Sequence, residues 1–508
     1  MRRALAAIHR SVRGALRQTP RAAWICGLVA LINAACWSII TPPFEMVDEP
    51  FHFAYVQKLA ETGTLPRSSD IELPEEETVA MRDLDLQEVR FHPENHPVTT
   101  RAQERTLQHD LAQPLHRSAP EGPSSPQVKG KHSSRTVYSG AAEPPLYYAL
   151  QTIPYFLGSG GTLLERLELM RLLSALLAGV TAFFAYLFVR EVLPGASWAW
   201  IVGGMSIALT PLLGVMSGAV NNDALLYAAS AALFFLFARA FRRGLTNGLA
   251  IAIGLVIAVG LSAKPNFLGL VPGVIIGLLA LSIRAAGTSR RTAYSSLALA
   301  IGIGAIPVYL DVVINSFSHY PGFAVLTTNL HQTSRGSLSS EISYVWQLYL
   351  PRLPGMSLQF PGVSTTAQWF NSSVGLYGWL DTPFPTWVDR LAVIPVVLLT
   401  VLGVRALVML RATLRRRLVE LTVYGLMGVG LLALIGAANY TARLTEESAD
   451  FIQPRYLLPL LALLGSALAL SARGAGRRFG PVVGAVIVML FLAYDVFSQL
   501  QVVARFYG

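Results

Sequence analysis

Residues 144–157, Pro144-Pro-Leu-Tyr-Tyr-Ala-Leu-Gln-Thr-Ile-Pro-Tyr-Phe-Leu157, decide the topology of this chain. They are apolar, but they fall short of the ~20 residues that a helix needs to cross a bilayer. Pro154 also interrupts them. Two readings compete: a short span, or an interfacial or re-entrant helix. The positive charges arbitrate. Longer apolar runs lie near 22–40, 168–190, 197–217, 221–241, 246–263, 265–284, 293–315, 391–411, 418–438, 455–472 and 479–500. With 144–157 kept out of the membrane, Arg190, Arg242, Arg243, Arg284, Arg290, Arg291, Arg411, Arg415, Arg416, Arg417, Arg473, Arg477 and Arg478 all fall on the side of the N-terminus. Counting 144–157 as a span sends every one of them outside, against the positive-inside rule. The reading is therefore an all-α polytopic membrane protein with about eleven transmembrane helices, N-terminus inside and C-terminus outside.

Composition agrees. The chain has 508 residues, 53% hydrophobic and only 14% charged, with mean hydropathy +0.48. That excludes a soluble enzyme with a single anchor. The net charge of +10 does not indicate nucleic acid as a partner. The basic residues sit in short clusters between apolar runs, as cytoplasmic loops do. Cys26 and Cys36 share the first apolar run, about 15 Å apart on a helix, too far for a disulfide. The lead carries Arg2, Arg3, Arg10, Arg13, Arg17 and Arg21. No convincing cleavage site precedes Pro42, so the first run reads as a retained span rather than a signal peptide.

Four parts follow: a basic cytoplasmic lead (1–21), a membrane module (22–315) with an outer loop at 41–167, a second outer region (316–390) and a C-terminal membrane module (391–508). The first loop holds six of the nine histidines, His52, His92, His96, His109, His116 and His132, and the acid run Glu75-Glu76-Glu77. Its stretch 113–140 is rich in Pro, Ser and Gly and reads as flexible loop. Residues 51–61 have helical periodicity and aromatics, as a short interfacial helix does. A third outer segment, 439–454, is short, and tight outer turns fall at Gly218–Asp223 and Ser262–Asn266. No internal repeat of the transporter kind is visible.

This topology places the chemistry-bearing residues on one face. Asp48 and Glu49 follow span 1, in Thr41-Pro-Pro-Phe-Glu-Met-Val-Asp-Glu-Pro-Phe-His-Phe53. A buried carboxylate there has a raised pKa and serves as a general base; the other reading is a solvated acid capping the helix at Pro50. Glu143 precedes Pro-Pro-Leu-Tyr-Tyr and is also placed to face a helix N-terminus. Asn221, Asn222 and Asp223 sit at one turn. Lys264 sits at the next, where a cation between apolar runs needs an anionic partner or snorkels to water. Arg455 has the same logic, with a bidentate fork suited to phosphate or carboxylate. His52 lies four residues after Asp48, on the same helix face. The other histidines match no metal motif. Asn371-Ser-Ser and Asn439-Tyr-Thr fit the glycosylation pattern.

Six motifs in order carry a resemblance. They are Pro-Pro-Phe-Glu-x-x-Asp-Glu-Pro-x-His-Phe (42–53), Glu-Pro-Pro-Leu-Tyr-Tyr (143–148), Asn-Asp-Ala-Leu (222–225), Lys-Pro (264–265), Gly-Leu-Tyr-Gly-Trp-Leu-Asp-Thr-Pro-Phe-Pro (375–385) and Gln-Pro-Arg-Tyr-Leu-Leu-Pro (453–459). The chain resembles the DUF2142 family of bacterial membrane proteins, which is similar to the GT-C superfamily of polyprenyl-phosphate-sugar-dependent glycosyltransferases. The resemblance runs from span 1 to span 10; the stretch 62–142 carries no motif of it. It implies Asp48 as catalytic base with Glu49 second, and Glu143 as a candidate ligand should a divalent metal be used. It implies Lys264, Arg455 and Tyr456 as contacts for the lipid phosphate, and Asp223, with Asn222 beside it, at the adjoining turn. His52 is grouped with the substrate-binding residues. Gln453-Pro-Arg-Tyr departs from the family in having proline where glycine is expected.

The expectation is thus an inverting transferase at the outer face of the bacterial cytoplasmic membrane. It moves a sugar from a polyprenyl-phosphate donor to a glycan, lipid or protein acceptor of the envelope, with no certain cofactor. Two rivals stand beside it. A lipid-linked-sugar flippase or transporter needs charges near mid-span, for which Asp311 and Asp495 are the clearest residues. A non-catalytic envelope-assembly protein needs only the outer loops.

Overall fold

The computed structural model describes residues 19–66, 74–95, 100–112, 143–287, 289–318, 337–444 and 453–508. Most of the basic lead, the loop 113–140 and His96, His116 and His132 lie outside the described residues.

The first spanning helix is α1 (Arg21–Ile40). The loop after it folds into short helices: α2 (Glu49–Thr62), α3 (Glu75–Asp83), α4 (Leu86–Val89), α5 (Arg101–Leu111) and α6 (Leu146–Leu157). The membrane module continues with α7 (Leu163–Val192), α8 (Ser197–Ala208), α9 (Pro211–Ser217), α10 (Asp223–Arg243) and α11 (Asn247–Ala263). A 3₁₀ turn, Pro265–Leu270, leads into α12 (Val271–Ala286), followed by α13 (Arg290–Gly304) and α14 (Ile306–Ser318). The segment before the last module contains α15 (Leu338–Tyr349), α16 (Thr365–Val374) and a small antiparallel hairpin, β1 (Leu376–Tyr377) with β2 (Thr382–Pro383). The last module is α17 (Thr386–Met409), α18 (Arg411–Arg416), α19 (Leu418–Leu444), the 3₁₀ turn Pro454–Leu460, α20 (Leu461–Gly474) and α21 (Gly476–Tyr507).

Among the described residues nine helices are long and apolar enough to cross a membrane, or ten if the pair α8–α9, bent by 50°, is one span. The bend falls at Thr210-Pro211, where proline removes a backbone donor. The remaining expected run, 246–263, forms α11, an apolar helix of 17 residues. The protein is therefore a multi-pass membrane protein. Segment 144–157 forms α6, a helix of 12 residues with Pro154 inside it, too short to span. It packs instead on α2 and α7.

One boundary differs with consequences. The hydropathy drop after 438 reads as the end of a span, yet α19 continues to Leu444. Polar side chains there bond back to the helix: Asn439 Nδ2 donates to the Ile435 carbonyl at 3.0 Å and Thr441 Oγ1 to Ala437 at 3.0 Å. Such i−4 bonds let polar residues stay helical where hydropathy alone stops. Asn439 is thereby buried within the helix, so its Asn-Tyr-Thr pattern does not present a glycosylation acceptor. Asn371 is exposed on α16.

The helices pack where small residues allow close approach. A Cβ on Gly179 of α7 would meet the Gly27 carbonyl of α1 at 2.8 Å, and one on Gly203 of α8 would meet Gly465 of α20 at 2.8 Å. A second, aromatic core lies outside this bundle. Phe44, Phe53, Tyr55, Tyr147, Tyr148 and Tyr155 pack with Val220 and Ala263. Tyr55 and Tyr148 stack with ring centroids 3.6 Å apart. This core fixes α2 and α6 against α7 and the ends of α10 and α11.

Candidate functional site

Asp48 occupies a strained position. Its φ of 67° lies in the left-handed region, which Asp tolerates better than most residues. The turn points its carboxylate away from that of Glu49, although the two are neighbours in sequence. Pro50 then starts α2, and Gly63 at φ 65° ends it.

Glu49 is fully buried. Its Oε1 and Oε2 accept from Arg171 Nε at 2.8 Å and Nη2 at 2.6 Å. They also accept from the backbone N–H of Phe44 at 3.1 Å and Val220 at 3.0 Å. Arg171 donates further to the carbonyls of Ser38, Thr41 and Pro42 at 2.9, 2.9 and 3.0 Å. It therefore caps the end of α1 and holds the Asp48 turn. Arg171 was not among the expected site residues, yet it leaves a signal in the sequence: a charge three residues inside the 168–190 apolar run requires a partner.

Asp48 faces a cavity of about 390 Å³, within the size range of small-molecule sites. Its side chain is 33% exposed, and its Oδ2 accepts from Arg455 Nη2 at 2.8 Å. The polar wall combines Asp48, His52, Glu143, Lys264, Arg455 and Tyr456. The opposite wall is α19, through Leu434, Ile435, Ala438, Asn439 and Ala442. Residues from five separate stretches of sequence thus meet in one place. Asp223 and Asn222 stand behind them: Lys264 Nζ lies 2.8 Å from Asp223 Oδ1, and Asn222 Nδ2 donates to Glu143 Oε2 at 2.9 Å. Glu49 is the one expected site residue turned away from both cavity and second layer.

Protonation follows from these neighbours. Burial alone would raise the Asp48 carboxyl, but its charged neighbours together, Arg455 first, hold the group below its ordinary value. Burial pushes His52 down to about 4, so its imidazole is neutral; His52 Nδ1 lies 2.8 Å from the Tyr148 hydroxyl. Burial pushes Glu143 up, against the pull of Lys264. Burial would lower Lys264, but Asp223 and Glu143 hold it above its ordinary value. Arg455 Nε and Nη1 are buried without a hydrogen-bond partner among the described residues. The site therefore offers the Asp48 carboxylate, two cations and unspent guanidinium donors.

Among the described residues no three His, Cys, Asp or Glu side chains converge as ligands, and the Asp48 and Glu143 carboxylates are engaged by Arg455 and Asn222.

The 375–385 motif holds the Asp48 loop from above. Trp379 Nε1 donates to the Phe44 carbonyl at 3.2 Å, Asp381 Oδ2 accepts from Phe91 N–H at 3.1 Å, and Arg90 stacks on Trp379. From α21, Arg505 donates to the carbonyls of Asn95, His92 and Val89. Glu45 is sealed within this clamp, with neither carboxylate oxygen hydrogen-bonded among the described residues. Burial and then Asp381 push it up to about 8, against Arg505 and Arg90. The folded protein keeps this proton through the range where an unfolded chain, with a value near 4.5, releases it. Its stabilising contribution is full below about pH 4.5 and is lost as pH rises through about 8. Glu45→Gln, which stays neutral, is expected to match wild type in thermal unfolding at pH 5 and exceed it by about 5 °C at pH 9. Parallel curves for the two proteins across that range would show Glu45 ionised throughout.

No curated protein matches the chain. Residues 31–464, from within α1 to within α20, match the family model described as a predicted membrane protein (DUF2142). With the match covering well over half of its length, and the site residues at 48, 143, 223, 264 and 455 within it, the chain belongs to the DUF2142 family of membrane proteins.

Proposed function

We propose that this protein is a membrane glycosyltransferase that moves a sugar from a polyprenyl-phosphate donor to a cell-envelope acceptor, at the outer face of a bacterial cytoplasmic membrane. One observation carries the reading. A single cavity has an ionised carboxylate and two cations on one wall and an apolar membrane-spanning helix on the other. A lipid-linked phosphate matches that division: its charge meets Lys264 and Arg455, and its first isoprene units meet Leu434, Ile435 and Ala438 of α19. A nucleotide sugar has no use for the second wall.

The step balances without a metal. The acceptor oxygen attacks the anomeric carbon on the face opposite the phosphate. The bond from that carbon to the phosphate oxygen breaks, and the lipid phosphate leaves with the electron pair. The acceptor's proton passes to Asp48, and configuration inverts. Asp48 is a weak base in the resting state, since its charged neighbours, Arg455 first, hold it ionised. It accepts the proton late, as the attacking oxygen gains positive charge. Fixed cations at the departing phosphate stabilise its developing charge without reorganising.

Asp495 is one of the two mid-span residues that the transport reading needs. It is buried in a closed network, accepting from Trp37 Nε1 and Gln499 Nε2, each at 3.1 Å. The deciding experiment gives purified protein in nanodiscs a panel of labelled polyprenyl-phosphate sugars with envelope extract as acceptor. Label is expected to leave the lipid. All donors inert, with fluorescent lipid flipped in liposomes, overturns the transferase reading.

A further inference from the structure

A second cavity, of about 500 Å³, lies at the far end of the helices from Asp48. The segment Pro454–Gly474 starts with Arg455 in the first cavity and ends with Arg473 in the second. Its length separates the two by roughly 25–30 Å. Arg473 and Arg477 supply the charge of the second cavity, and Trp198, Ala406, Met409 and Leu410 supply its apolar lining. No acidic side chain lines it. Neither guanidinium has a hydrogen-bond or ion-pair partner among the described residues. The cavity opens beside α17, on which Ala406 is the one fully buried residue and one face is exposed. Val401, Val404 and Val408 are each more than half exposed there.

Two unpaired arginines beside a tryptophan and a lipid-facing helix form a site for an amphiphile with a negative head. We propose that this cavity binds the phosphate of an anionic phospholipid headgroup between Arg473 and Arg477, with the acyl chains lying along α17. Guanidinium forks match phosphate oxygens. Basic pockets between helix ends hold such headgroups against the surrounding zwitterionic lipid. Trp198 takes the interfacial place that its amphipathic ring favours. A free phosphate shares the head chemistry but has no use for the apolar lining. The site is independent of the sugar-transfer reading, with which it shares no residue.

The test is native mass spectrometry of delipidated full-length protein titrated with phosphatidylglycerol, phosphatidylcholine or glycerol phosphate. Phosphatidylglycerol is expected to bind most tightly. The double variant Arg473→Ala/Arg477→Ala is expected to weaken it about 30-fold. Met409→Glu keeps both arginines at a position already 57% exposed and is expected to weaken binding by offering them a carboxylate. Arg415→Ala, on the neighbouring helix α18 and outside the lining, is expected to bind as wild type does. Unchanged phosphatidylglycerol binding by the double variant and by Met409→Glu, or equal binding of phosphatidylcholine, overturns the proposal. Glycerol phosphate binding as tightly as the lipid, with the same dependence on the arginines, overturns the lipid as its source.

Discussion

Asp48→Asn is expected to lower the turnover of sugar transfer by about 10²- to 10⁴-fold while leaving donor affinity intact or tighter. The asymmetry comes from the site. Asparagine keeps the shape and loses the proton acceptor, so chemistry slows. Arg455 simultaneously loses the anion that now lies 2.8 Å from its Nη2, which frees more of its charge for the donor phosphate. Arg455→Ala is the mirror image: donor affinity falls, because the cation itself is gone. The two variants therefore separate on KM and kcat. Because its charged neighbours, Arg455 first, hold Asp48 below its ordinary value, the acid limb of the wild-type rate profile is expected below about pH 4. Full turnover by Asp48→Asn overturns its role as base. A limb above the ordinary carboxylate range points to Glu143, whose carboxyl burial pushes up.

Glu49→Gln is expected to destabilise the fold by about 3–5 kcal/mol, the cost of leaving a buried partner charge unpaired. Arg171 then has only Glu168, at 3.2 Å and 44% exposed, as an anionic contact. Arg171→Lys is expected to be no better, since one ammonium cannot reach Glu49 and three carbonyls together. Replacing the pair by apolar residues, which often restores stability, is expected to fail here. It orphans the carbonyls of Ser38, Thr41 and Pro42 and the N–H groups of Phe44 and Val220. Thermal unfolding and the folded yield in detergent report the outcome. Should Glu49→Gln unfold like wild type and lose turnover as Asp48→Asn does, Glu49 is a group of the reaction and the structural assignment falls.

These two variants show how neighbours in sequence part in function. Asp48 and Glu49 are both acids after span 1, and periodicity ranks neither. What separates them is one left-handed residue, φ 67° at Asp48, and a partner 122 positions away, Arg171. Long-range pairing of this kind leaves no mark in local sequence beyond an arginine in an apolar run. The far edge of the cavity's α19 wall was hidden for a related reason. Asn439 and Ala442 fall past the hydropathy edge at 438, and only their bonds back to the helix carry α19 on to Leu444.

The sequence by itself determined the class of the protein and which residues are out of place in it. Apolar runs of membrane length must become helices, because lipid offers their backbone no other partners. The thirteen arginines that chose against a span at 144–157 did so through charge alone, and α6 is the short helix they required. Charged residues at the ends of those runs, Asp48, Lys264 and Arg455 among them, stand out for the same reason: each needs a partner or water. Only the tertiary structure decided the pairings, Asp48 with Arg455, Lys264 with Asp223, and Glu49 with Arg171. Those choices depend on helix packing and on one strained turn, where differences of an ångström decide which charge meets which. Hydropathy, which averages over a window of residues, carries no information at that scale.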